Sequence, residues 1–299
     1  MLKRRTSNDS MLLWLIALPG ILHFVVFKYV PMLGNVIAFQ DYSIFSGIAD
    51  SPWVGFQHFA NMFTYAEFYH ILTNTLLISL YSILFGFPAP LVLALLLNEI
   101  RRAWFKRSVQ TLLYLPHFLS WVIVGSLFIN LLSIDGFLNT ILSWLGLPGK
   151  DYLTQPEYFR SILVSIGIWK EMGWGMIIYL AALSGINPNL YEAAMVDGAG
   201  RFRQMWSITL PSLLPAIVVL FLLRVGHVLD SNVEQVLILL NPLVRDVGEV
   251  IDTYVYRVGL LGAQFSLTTA IGIFKSLVGL LLVVGLNALS RKTTGESIY

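Results

Sequence analysis

Five long stretches of this chain, 10–27, 68–98, 108–134, 172–191 and 204–223, contain no acid, lysine or arginine. A sixth, 258–290, is interrupted only by Lys275. A hydrocarbon core about 30 Å thick is crossed by about 20 apolar helical residues. Runs of this length and number therefore constrain the chain more tightly than any motif in it. Only 12% of the residues are charged, against about 25% in a typical soluble domain. Much of the surface accordingly meets a solvent that charges avoid. Lys170 and Glu171 fall inside a span, because apolar residues continue upstream of them from Ile162 to Trp169. The spans are predicted at 11–31, 71–98, 109–132, 160–184, 207–228 and 266–289. The expected fold is an all-α integral membrane protein with six transmembrane helices.

Lys3-Arg4-Arg5 before the first apolar stretch is reminiscent of a signal peptide, but no small-x-small cleavage site follows. We read the stretch as an uncleaved first span. Lysine and arginine concentrate on the cytoplasmic side of a membrane. With the N-terminus inside, the cytoplasmic segments hold 11 of the 19 basic residues, among them Arg101, Arg102, Lys106, Arg107, Arg201, Arg203, Arg291 and Lys292. The outer loops then hold only Lys150, Arg245 and Arg257. Both termini are expected to be cytoplasmic, with tails at 1–10 and 291–299 around a single transmembrane domain, 11–290. No internal repeat is evident, and the outer loops are too short for a separate domain.

The most informative segment joins the fourth and fifth spans: Asn187-Pro188-Asn189-Leu190-Tyr191-Glu192-Ala193-Ala194-Met195-Val196-Asp197-Gly198-Ala199-Gly200. Asn187 suits an N-cap, Pro188 the first helical position, and Gly198 an end or bend. Leu190, Ala193 and Ala194 give the short helix a small apolar face. A helix of two turns is not stable alone in water and must pack on something.

Glu192-Ala193-Ala194, Gly198 four residues later, then Ile208 and Leu210-Pro211 resemble the EAA signature of binding-protein-dependent ABC importer permeases. Trp53-Val54-Gly55-Phe56, Asn74-Thr75-Leu76, Ala94-Leu95-Leu96-Leu97-Asn98-Glu99 and Tyr114-Leu115-Pro116-His117-Phe118 extend the resemblance over residues 11–290. Within the carbohydrate branch, the chain looks most like the complex-oligosaccharide group, which includes polygalacturonan and alginate importers. Leu229-Asp230-Ser231-Asn232-Val233-Glu234-Gln235 departs from the Gly-Phe-Glu-Gln of that group. The resemblance implies a type I importer permease in a bacterial inner membrane. It further implies that Glu192, Ala193, Ala194, Asp197 and Gly198, in the loop 185–206, form a coupling helix. The implied partners are a cytoplasmic ABC ATPase dimer, a second homologous permease in a heterodimer, and a periplasmic or extracellular solute-binding protein.

Three cations, Lys170, Arg224 and Lys275, lie in or at the edge of spans, with Glu171 the one acid there. Charges at membrane depth face a bundle interior or an aqueous cavity. Lys170 and Lys275 are candidate pathway residues for an acidic oligosaccharide such as alginate. The alternative is structural pairing, or for Arg224 snorkelling to the interface. Trp169 and Trp174 are candidate stacking surfaces for sugar rings. Gly167, Gly173 and Gly175 read as sites of close helix approach.

The scattered histidines form no metal motif, and zero cysteines exclude thiolate metal sites and cysteine nucleophiles. No Gly-x-x-x-x-Gly-Lys-Ser/Thr loop occurs, so ATP and Mg2+ are expected on the partner ATPase, with no cofactor on this chain. A net charge of +2 without basic-aromatic runs gives no nucleic-acid surface. A secondary ion-coupled transporter using Lys170, Glu171 and Lys275 is the other function considered. It lacks the expected internal repeat and leaves the loop without a role.

Overall fold

The computed structural model describes residues 7–293 and 295, with side chains from 11 to 292 and at 295. Lys3, Arg4 and Arg5 lie outside the described residues, as do parts of both tails. The main helices are α1 (Ser7–Phe24), α2 (Ala66–Tyr81), α3 (Pro88–Asn98), α4 (Ala103–Tyr114), α5 (Trp121–Leu132), α6 (Phe137–Trp144), α7 (Pro156–Ser184), α8 (Pro188–Val196), α9 (Leu210–Gly226), α10 (Val233–Leu239) and α11 (Phe265–Thr293). Six stretches among the described residues are long and apolar enough to cross a membrane: Met11–Phe39, Ala66–Asn98, Trp121–Trp144, Pro156–Ser184, Arg201–Gly226 and Phe265–Lys292. Helix is the expected outcome, since lipid offers no partner for a backbone N–H or C=O.

Several spans contain a π-helical turn, and three of these turns share a cause. The turns Val25–Tyr29, Ser82–Gly86 and Met205–Thr209 precede Pro31, Pro88 and Pro211. A proline ring clashes with the carbonyl four residues earlier. Those carbonyls belong to Phe27, Leu84 and Ser207, the central residue of each turn. Widening the helix there accommodates the ring and lets the span continue.

The third span differs from its expected form. Residues 109–132 are not one helix: α4 ends at Tyr114, a 3-10 turn covers Leu115–Phe118, and Leu119 and Ser120 are extended before α5 begins. Pro116 contributes no N–H to the turn, and the Ser120 hydroxyl caps α5 by accepting from the Ile123 N–H at 3.3 Å. The long apolar stretch is instead 121–144, in two helices.

The described chain divides into two units. The smaller one comprises 1–65 and 257–274. Residues 11–33 of it are left uncovered by the rest of the described chain. Its loop is tied by the Ser51 hydroxyl, which donates to Gly47 O at 2.5 Å, and by Ser266 Oγ, which accepts from the Tyr42 N–H at 3.0 Å.

The larger unit comprises 66–256 and 275–299, and α7 is its axis. One apolar cluster surrounds Phe159, Leu163 and Ile166 of α7, with Val124, Val236 and Val250. A second surrounds Met176, Tyr179 and Leu183, with Ala94, Leu97 and Leu213. Lys170, Gly173 and Gly175 lie at the waist between them. A Cβ on Gly173 would fall on the Leu113 carbonyl, and one on Gly175 would meet Pro90 Cγ at 3.0 Å. These glycines let α7 touch α4 and α3, as expected for small residues between membrane helices.

Candidate functional site

Two features stand apart from plain helix packing. The first is α8. The Asn187 side chain accepts from the Asn189 N–H at 3.0 Å, and Pro188 occupies the first turn. At the other end Gly198 adopts φ +75°. Its N–H donates to Met195 O at 3.1 Å, and that of Ala199 donates to Ala194 O at 2.8 Å. This pair of bonds is the Schellman termination, and a Cβ at Gly198 would be strained there.

A two-turn helix closed at both ends in this way is a rigid peg. Glu192, Ala193, Ala194, Asp197 and Gly198 are therefore brought together on α8 and its cap. Leu190, Met195 and Val196 are exposed on it, Val196 at 88%. One contact ties the peg itself to its surroundings, and a second ties the segment just after it. Tyr191 Oη meets Thr209 Oγ1 at 2.9 Å, and Arg201 Nη1 meets Glu99 Oε2 at 3.3 Å.

The second feature is a cavity of about 510 Å3 in the larger unit. Its wall includes Trp121, Glu171, Trp174, Arg224, Asp230 and Gln235. Broken helix at membrane depth is tolerated where the freed backbone is buried in protein or lines a cavity. In the break at 115–120 Pro116 is buried, and the carbonyl of His117 is satisfied by a side chain of α7. Lys170, 4% exposed, donates to the carbonyl of His117 at 2.7 Å and lies 5.2 Å from the Trp121 ring centre. Glu171 accepts from His117 Nδ1 at 2.8 Å and pairs with Lys170 at 3.5 Å. The His117 ring in turn stacks on Trp174, 4.5 Å between centres and 4° from parallel.

Lys170 is consequently a strut of the helix break and is not part of the cavity wall. Trp169 also leaves the wall, packing edge-on against Phe128 at 5.4 Å beside the first core cluster. Trp174 does line the cavity, at 47% exposure.

Lys275 is engaged as well. It pairs with Asp252 and, at 2.7 Å, with Asp230. Asp230 also meets His227 Nδ1 at 2.5 Å, and Asp252 accepts from the Ser231 N–H at 2.7 Å. Burial raises the Asp230 carboxyl, but hydrogen bonds from Lys275 and His227 outweigh that and hold it below its ordinary value of 3.8.

Two wall residues carry weight the sequence reading did not give them. Arg224, for which the sequence leaves snorkelling to the interface as the alternative, faces the cavity. Gln235, in the segment that departs from the group's pattern, donates to Leu163 O at 2.6 Å and pins α10 to α7. The pair Pro116 and Ser120 was the available signal for the helix break.

Comparison with known proteins identifies the family. A family described as "Binding-protein-dependent transport system inner membrane component" matches residues 86–295. The polygalacturonan/rhamnogalacturonan transport system permease protein YteP of Bacillus subtilis (strain 168) is 51% identical over 288 residues, covering 96% of this chain and 90% of that one. Protein LplB of the same organism is 46% identical over 288 residues, covering 96% and 91%. Among solved structures, a chain of a bacterial alginate ABC transporter, in complex with an alginate pentasaccharide-bound periplasmic protein, is 43% identical. It aligns with a TM-score of 0.89 over 97% of this chain and 98% of that one.

Proposed function

Because this chain belongs to the binding-protein-dependent transport system inner membrane components, we propose that it conducts an acidic oligosaccharide, driven by ATPase subunits docked on its loop 185–206. The chain is a multi-pass inner-membrane permease of a carbohydrate ABC importer. It works beside a second, homologous permease and receives sugar from a solute-binding protein, and both its termini are cytoplasmic. ATP and Mg2+ are held by the ATPase dimer.

The observation that carries the coupling role is the doubly capped peg α8 with its exposed apolar side chains. An apolar two-turn helix is stable when it packs into a groove. A rigid element engaged differently in two global states can turn movement of the groove into movement of the spans. The Tyr191–Thr209 contact passes a push on α8 to the start of the fifth span, and Arg201 in the segment after α8 meets Glu99 at the end of α3. The acidic cargo is supported by the two relatives named for polygalacturonan and alginate, both uronate polymers.

The test is reconstitution of the complete importer in proteoliposomes with Gly198→Asp or Glu192→Lys. Both variants should still purify with their partners. Uptake and ATPase stimulation by the binding protein should fall about tenfold or more, because a side chain at the positive-φ end and a reversed charge both misfit the groove. Unimpaired transport by both variants would end the coupling assignment. The cargo is tested separately, by offering the wild-type importer a uronate trimer and a neutral trisaccharide. Preference for the neutral sugar excludes the acidic reading.

A further inference from the structure

We propose that Arg224 binds a carboxylate of the sugar as it passes through the cavity; this rests on the acidic-oligosaccharide reading above. Four side chains of the cavity wall can carry charge: Glu171, Arg224, His227 and Asp230. Both carboxylates are already satisfied within the chain. Glu171 Oε2 meets His117 at 2.8 Å and Oε1 meets Lys170 at 3.5 Å. Asp230 Oδ1 meets Lys275 at 2.7 Å and Oδ2 meets His227 at 2.5 Å.

Arg224 differs from them. Among the described residues its guanidinium makes no hydrogen bond and no ion pair, although it faces the cavity. Guanidinium is permanently charged and carries five N–H donors in a planar fork. Arg224 lies near the end of the fifth span, Arg201–Gly226, where a charged group faces water or an aqueous cavity. The side chain is exposed in the cavity wall, so an incoming anion can reach it. The fork matches a carboxylate through two parallel bonds.

A neutral sugar would leave this charge uncompensated during passage, whereas a uronate satisfies it. Lys170 and Lys275 cannot serve in this way, because their ammonium groups are already bound to His117 O and Glu171, and to Asp230 and Asp252. Among the described residues Arg224 is thus the one cation of the cavity wall without a partner, and Trp174, 47% exposed in the same wall, offers an apolar surface for the sugar ring.

The experiment is initial-rate uptake of trigalacturonate by the intact importer, with its second permease, ATPase and binding protein, in proteoliposomes. Arg224→Gln should raise the apparent KM about tenfold or more, the loss expected for one charge-assisted hydrogen bond. Arg224→Lys, which keeps the charge and loses the fork, should fall between that variant and wild type. Two outcomes overturn the proposal while leaving the acidic reading intact. One is wild-type kinetics in Arg224→Gln. The other is loss of the second permease on purifying Arg224→Gln, which would assign the guanidinium to an acid of that subunit. A wild-type importer that carries maltotriose and no trigalacturonate overturns the acidic reading, and this inference with it.

Discussion

Lys170 shows how one side chain can settle a local backbone. It stands at the waist of α7, where α4 has ended and the chain turns through Leu115–Phe118. Its ammonium takes the His117 carbonyl, and the adjacent Glu171 takes the ring of the same histidine. Removing one partner of a buried polar set leaves the others unsatisfied, at about 1–3 kcal/mol. Lys170→Met should therefore lower the thermal unfolding temperature of the detergent-solubilised complex. An unchanged temperature, with only cargo affinity altered, would place the lysine in the pathway instead. Three residues on, Gly173 faces the Leu113 carbonyl with no room for a methyl group. Gly173→Ala should destabilise by about 1–3 kcal/mol, the usual range for overpacking. Gly285→Ala, where nothing lies within 4 Å of the added carbon, should not. Equal melting of the two alanine variants would refute the close approach.

At the scale of elements, the spans are segmented helices and the interruptions have identifiable chemistry. Each of three π turns is centred four residues before a proline, where the ring and a carbonyl collide. The break in the third span is different in kind, since two residues become extended and a new helix starts under its own cap. Ser120→Ala removes that cap and should cost about 1 kcal/mol. Ser120→Thr, which keeps the hydroxyl, should behave as wild type. Comparing the unfolding temperatures of the two variants checks this, and no loss in the alanine form would show that the cap is dispensable. The element that follows α7 is the opposite case. Asn187, Pro188 and Gly198 announce α8 locally, and each residue occupies the position its type favours.

For the molecule as a whole, the six spans and the distribution of lysine and arginine lead to an expected arrangement in the membrane, with Ser46 and Lys150 outside and Arg102 and Arg201 inside. Cysteine introduced at the first pair should react with an impermeant thiol reagent in intact spheroplasts, and at the second pair should not. The native chain has no cysteine, so labelling at Arg201 would be unambiguous and would reverse the topology. The sequence by itself determined what depends on neighbours along the chain. Span number follows from runs of apolar residues, and the α8 peg follows from Asn187, Pro188 and Gly198. Family resemblance follows from Glu192 to Pro211. What it did not determine depends on residues far apart in the chain. Lys170, Arg224 and Lys275 all stand in sequence as cations in apolar stretches, only Lys170 with an acid beside it. Only folding gives Lys170 the carbonyl of His117, 53 residues away, and Lys275 the carboxylate of Asp252, 23 residues away. It leaves Arg224 facing open space. A charge at membrane depth is defined by its partner, and the partner is supplied by the tertiary structure.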